Sequence, residues 1–216
     1  MLKEVYLTEQ NRVEKVKYWL DECKKVKTHR PYELNLKKAA LLILDMQDYF
    51  IDKKSHAFVP SSLNIISQIQ EIAKIFRRMG SKVLFSMHID TDDEDSTMNR
   101  WWKGSIKPNS DLSKITHSLN KQTIEVIEKS QYSAFYETEL EAILKENDVE
   151  QVIITGVMTH LCCETTARDA FMRGFEVFFV VDATATYTEE LHLGTLRAIS
   201  HGFGTCISTG EIINEE

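Results

Sequence analysis

A chain of 216 residues, 43% apolar and 27% charged, has the balance of an ordinary globular protein and fits one large core, since single cores stop growing near ~250 residues. Its 33 Asp and Glu against 26 Lys and Arg, a net charge of −7, oppose attraction to nucleic acid or to anionic lipid. The longest apolar stretches, such as Ala39–Leu44 and Val177–Val181, fall far short of the ~20 residues that cross a bilayer.

The amino end, MLKEVYLTEQ, has no apolar run before a small-residue cleavage site, so a cytoplasmic location is expected. Cys23, Cys162, Cys163 and Cys206 are too irregularly spaced for a disulfide scaffold or a zinc site and read as free thiols.

Residues 9–27 place Val13, Val16, Leu20, Cys23 and Val26 at steps of three and four, which predicts an amphipathic helix. The linker THRPYELN follows, with Pro31 disfavouring helix at Arg30. Helix and linker are taken as a unit over residues 1–35, and residues 36–216 as the main domain. An exposed stripe of Val13, Val16, Trp19 and Leu20 would be costly, so the helix is expected to pack on the body or on a second copy, making a homo-oligomer.

Ala39–Asp45 is a continuous apolar run that ends on an acid, as a strand covered on both faces would. Ser62–Met79 puts Ile65, Ile69, Ile72, Phe76 and Met79 on one helical face, with Gly80 as the stop. Lys82–Met87 predicts a second strand. His88–Ser118 is a long irregular excursion whose Trp101 and Trp102 argue for a cover over a site.

Thr123–Ile127 predicts a strand, Thr138–Glu146 a helix capped by Thr138, and Gln151–Thr155 a strand. A helix over Leu161–Arg173, strands at Glu176–Asp182 and Gly204–Ser208, and a helix at Thr188–Ser200 complete the alternation. The pattern predicts an α/β fold: a doubly wound, mostly parallel sheet with helices on both faces, plus the N-terminal helix. Ligands in such sheets sit beyond the carboxyl ends of the strands, where Asp45, His88, Lys129, Gly156–Cys162 and Asp182 fall.

ITGVMTHLCCETTARDAF sets two cysteines after a strand and at the start of a predicted helix, whose free N–H groups favour a thiolate and can hold an oxyanion. Location alone reads equally well as two small core side chains. Neighbours on a helix point about 100° apart, so one can face a cleft while the other is core. Asp45 can serve as a proton acceptor and Lys129 as a fixed positive charge, although alone a strand-terminal Asp is more often a turn or helix-cap residue and a single Lys most often solvated surface.

LLILDMQDYF, IEKSQYSAFYETELEAIL and ITGVMTHLCCETTARDAF together resemble the three signature segments of the isochorismatase-like hydrolases, over about Ala39 to Ile212. The resemblance implies a catalytic Asp45, Lys129 and Cys162, an oxyanion site at the N–H groups of Met158 and Cys162, and a non-proline cis peptide at Val157–Met158. Gln47, Phe50, His88, Trp101, Trp102, Tyr132 and His160 are the expected substrate-binding residues. A small molecule is the expected partner, with no nucleic acid, no membrane and no cofactor.

The resemblance also carries differences. Nicotinamidases of the family hold a metal with an Asp-x-His and a further His, whereas here Asp52 is followed by Lys53 and Lys54. His88 and Asp90 are the remaining metal-like spacing, so no metal is expected and nicotinamidase is disfavoured. The segment from Cys162 to Asp182, TYTEELHLGTLRAIS and His160 look most like the isochorismatase branch, yet that branch generally has a small residue where this chain keeps Cys162. The expectation is a thioester-forming hydrolase of an amide, ureido or ester bond. The alternatives are a vinyl-ether-cleaving isochorismatase and a binding protein on the same fold.

Overall fold

The computed structural model describes residues 2–27, 32–91, 93, 95–102, 104, 106–120 and 124–215. Arg30, Pro31 and Thr123, on which the expected linker and the start of one strand rested, lie outside them.

In chain order the elements are α1 Arg12–Val26, β1 Ala39–Leu44, α2 Asp48–Ile51, α3 Ile66–Met79, β2 Val83–His88, α4 Thr97–Trp101 and β3 Glu125–Lys129. They continue with α5 Leu140–Glu146, β4 Gln151–Val157, α6 Glu164–Met172, β5 Glu176–Ala185, α7 Glu189–Gly202, β6 Thr205–Ile207 and α8 Thr209–Asn214. The strands form one six-stranded sheet in the order β3-β2-β1-β4-β5-β6, and every neighbouring pair is parallel.

Every residue of β1 and β4 is buried, which explains their unbroken apolar runs. α3 with α8 covers one face, and α1, α6 and α7 pack together on the other. Ile65, just before α3, and Ile69, Ile72 and Phe76 on it are wholly buried, whereas Met79, three residues past Phe76, is exposed. Gly80 ends the helix in the left-handed conformation, φ 73°.

The chain winds from β1 outward to β3, then crosses back to β4 on the other side of β1. The winding direction therefore reverses between β1 and β4, and a crevice opens beyond their carboxyl ends. Gly156 keeps these ends together. At φ 107° a Cβ there would meet the carbonyl oxygen of Leu44 at 2.1 Å, so only glycine admits the approach.

Several boundaries differ from the sequence expectation. The helix expected from Leu161 begins as α6 at Glu164, because Thr159–Cys163 forms a single π-helical turn. The cap of α5 is Glu139, while Thr138 Oγ1 accepts from Leu140 N–H one residue earlier than a cap would. α1 packs on α7 of its own chain. Trp19 is fully buried there and donates to Glu189, which leaves Val13 exposed and spends within the chain most of the stripe that pointed to a second copy. Among the described residues no helix is long and apolar enough to cross a membrane.

Candidate active site

Asp45 follows the last residue of β1 in a left-handed conformation, φ 49°, which turns its side chain over the sheet edge. Its backbone N–H meets Ser86 Oγ at 3.2 Å, and Ser86 Oγ donates to Asp45 Oδ1 at 2.6 Å. Lys129, the last residue of β3, reaches past β2 to the same place. Its Nζ lies 2.8 Å from Asp45 Oδ2, 3.0 Å from the Gln131 carbonyl and 3.4 Å from Cys162 Sγ.

Cys162 comes to this point on the π-helical turn after β4. Cys163 turns the other way and is wholly buried, its Sγ 4.0 Å from the Thr155 carbonyl. The peptide bond between Val157 and Met158 is cis.

Charges distribute unevenly over the three groups. Burial works against the carboxylate of Asp45, but Lys129 and His88 overcome it and hold its pKa below the ordinary carboxylate value. Lys129 likewise resists its own desolvation through Asp45 and Cys162, and its pKa is raised. The thiol of Cys162 is pushed up to about 12, first by burial and then by the charge of Asp45, with Lys129 pulling the other way. The resting site is thus a carboxylate, an ammonium and a neutral thiol. The free N–H groups of a helix start were expected to favour a thiolate, but the π turn sets Cys162 ahead of α6 and burial works against its charged form.

Cys162 lines a cleft of about 260 Å³ together with Phe50, His88, Trp102, Tyr132 and Met158. Trp102 Nε1 donates to Tyr132 Oη at 2.6 Å, fixing both rings. Asp45 and Lys129 stand behind the thiol, their side chains closed to solvent.

Three expected substrate contacts do not line the cleft. Trp101 projects into solvent, 74% exposed, because it precedes Trp102 on the last turn of α4 and points elsewhere. Gln47 is fully buried, donating to the carbonyls of His88 and Ser113 and accepting from His88 N–H, so its amide ties the excursion to the sheet. His160 lies within hydrogen-bonding distance of Thr186 Oγ1, 2.6 Å away, on the far side of the turn.

Sequence reasoning missed Lys3, Tyr49, His56 and Tyr187, which also line the cleft. Tyr49 Oη donates to the Gly104 carbonyl at 3.0 Å, so its contact with His56 Nε2, also 3.0 Å, has the imidazole as donor. Tyr49 and Phe50 lie on the short helix α2, whose DYF segment is part of the first signature, and only that adjacency could have pointed to Tyr49.

His88 Nε2 lies 3.0 Å from Asp90 Oδ1, and Asp90 Oδ2 accepts from Ile106 N–H. Burial opposes the Asp90 charge, but His88 and the Ile106 amide hold its pKa below the ordinary value. These atoms are spent on one another, and among the described residues no group of three or more His, Cys, Asp or Glu could hold a metal ion. The described residues at this site do not fit a metal.

The Isochorismatase domain family matches residues 39–211. The chain is 39% identical over 188 residues to Nicotinamidase 3 of Arabidopsis thaliana, covering 85% of this chain and 91% of that protein. Over 179 residues it is 32% identical to Enterobactin synthase component B of Escherichia coli K12, covering 82% of this chain and 62% of that protein. Among solved structures, a cysteine hydrolase from Pseudomonas syringae pv. phaseolicola superposes with a TM-score of 0.81 at 25% identity, covering 87% of this chain and 97% of the other.

Proposed function

The chain belongs to the isochorismatase family and is a hydrolase, and from that premise we propose that it opens the carbonyl of a small amide, ureido or ester substrate through a thioester on Cys162. The observation that carries this reading is one ammonium, Lys129 Nζ, 2.8 Å from Asp45 and 3.4 Å from a thiol that faces the cleft.

In the resting state the thiol keeps its proton, since its pKa lies far above that of Asp45. Transfer to Asp45 is therefore coupled to attack. As Sγ bonds to the carbonyl carbon, the growing negative charge moves from sulfur to the carbonyl oxygen, where the N–H groups of Met158 and Cys162 receive it. Such donors are typically worth ~10²–10³ in rate each. The oxyanion collapses, the bond to the leaving group breaks, and Asp45 returns the proton to it. Asp45 then takes a proton from water, the hydroxide adds to the thioester, and the carboxylate product leaves as Sγ is reprotonated. Lys129 holds Asp45 charged throughout.

The likeness to a nicotinamidase favours an amide substrate and stands against the expectation, drawn from the missing Asp-x-His pattern, that disfavours that activity. Mass spectrometry of the protein after incubation with a panel of amides that includes nicotinamide tests the reading. An acyl adduct on Cys162, absent from Cys162→Ala, supports it, and turnover by Cys162→Ala refutes it. A second reading, protonation of the vinyl ether of isochorismate by Asp45, is favoured by the likeness of the segment around His160 to the isochorismatase branch. It predicts that Cys162→Ala remains active on isochorismate.

A further inference from the structure

Lys3 lies outside the segment that matches the family, residues 39–211, yet it lines the same cleft as Cys162. Its Nζ donates to the carbonyls of His56 at 2.7 Å and Phe58 at 2.9 Å, and sits 4.5 Å from the centroid of the Tyr187 ring. We infer that Lys3 gives the cleft a recognition point for a negative charge, so that the substrate opened at Cys162 is a small molecule bearing a carboxylate-sized anionic group. This inference rests on the reading of Cys162 as nucleophile.

An ammonium has three N–H donors. Two are given to neutral carbonyls, which orient Nζ without cancelling its charge, and a third remains for a guest. The Tyr187 ring, on which the cation rests, is also neutral. Among the described lining residues the one further formal charge is Asp90, and its situation is the reverse: Oδ1 faces His88 Nε2 and Oδ2 takes the Ile106 N–H. Its oxygens are turned to donors of the protein, while the ammonium keeps capacity for a ligand.

Around these charges the cleft is lined by Phe50, Met98, Ile106, Met158 and Leu161. Apolar walls lower the local dielectric and strengthen an attraction that bulk water would weaken. The volume of about 260 Å³ falls just under the range of about 300–1,000 Å³ typical of drug-sized ligand sites, so a small metabolite is the fitting guest. The net charge of −7 repels anions at long range, which makes a local cation the feature that would admit one.

Iodoacetate and iodoacetamide test this on the whole protein. The two reagents are close in size and differ in charge, and each alkylates a thiol by forming S–C as C–I breaks and iodide leaves. The rate ratio of iodoacetate to iodoacetamide at Cys162, measured by peptide mass spectrometry and normalised to 2-mercaptoethanol, reads the preference for an anion. Wild type should exceed Lys3→Met by about two- to fivefold, the effect of one partly exposed charge, and Lys3→Arg should retain most of the excess. In wild type alone the excess should shrink as the salt concentration rises toward ~1 M. Equal ratios in wild type and Lys3→Met, or a salt-independent ratio, would overturn the inference while leaving the nucleophile in place. If neither reagent modifies Cys162 in the folded chain although both do so in urea, the nucleophile reading fails and the inference falls with it.

Discussion

Lys129 Nζ stands 2.8 Å from Asp45 Oδ2 with neither side chain open to solvent, so each ion depends on the other for the charge state it holds. Lys129→Met would strand a buried carboxylate and should destabilise the fold by about 3–5 kcal/mol, the usual cost of breaking a buried pair. Adding Asp45→Asn to that variant should recover part of the loss, because no unpaired charge remains. Urea denaturation of the single and double variants measures both effects. Additive losses would show that the two ions are energetically independent.

Stability should fall in alkali earlier than lysine titration alone would require. The unfolded Cys162 thiol ionises near ~8.5, but in the folded chain its pKa is pushed up to about 12. Between these values the folded state holds a proton that the unfolded state has lost, so unfolding gains as pH rises. Cys163, also raised by burial, adds with the same sign. The raised Lys129 gives stability that is present below its unfolded pKa of ~10.4 and lost as pH climbs through the folded value. Melting temperatures recorded from pH 8 to 11 should therefore decline, and Cys162→Ala should make the first part of that decline shallower. Asp45, with its pKa lowered, acts at the other end: its contribution is present above ~3.9 and is lost as pH falls through the folded value.

The two tryptophans of the excursion should separate cleanly. Trp102 lines the cleft and donates to Tyr132 Oη. Tyr132→Phe should loosen that wall, raising KM several-fold with kcat little changed, since the hydrogen bond it removes is worth about 0.5–1.5 kcal/mol. Trp101→Ala removes a ring that is already in solvent and should leave both constants near wild type. A larger effect from Trp101 than from Tyr132 would place the wall elsewhere.

Gly156→Ala should be severe. Its Cβ would lie 2.1 Å from the Leu44 carbonyl oxygen, and φ 107° is itself hostile to a side chain. A loss of about 3 kcal/mol or more is expected as β1 and β4 are forced apart. Gly80→Ala, at φ 73° with open space around it, should cost only ~1–2 kcal/mol, from backbone conformation alone. Equal losses in denaturant melts would mean that the close approach of β1 and β4 is not tight.

The strands were legible because buried parallel strands are written as apolar runs: Ala39–Leu44 and Gln151–Thr155 stand out unaided, within the strands Ala39–Leu44 and Gln151–Val157. Asp45, Lys129 and the Cys162 turn were legible as a set because each ends or follows a strand whose carboxyl end faces the crevice. Much of the cleft wall was legible too, as Phe50, His88, Trp102 and Tyr132 line it, but Lys3 was not, since it reaches the cleft through contacts with residues 53 and 55 positions away, and no local pattern encodes such a meeting. Gln47 misled because an amide beside a site can serve a substrate or the backbone, and only the positions of the His88 and Ser113 groups decide. α8 went unread although Ser208 and Glu211 form a capping box, a local signature that was present in the sequence.

The pH dependence of iodoacetamide labelling at Cys162 tests the central claim most directly: a neutral thiol whose proton Asp45 removes and whose anion Lys129 stabilises. Wild type should label slowly at neutral pH and faster as pH rises toward 12. Lys129→Met, having lost the stabilising cation, should label more slowly than wild type at every pH. Asp45→Asn, having lost the repelling carboxylate, should label at least as fast as wild type while turning over no substrate. Superimposable profiles for all three proteins would contradict the account.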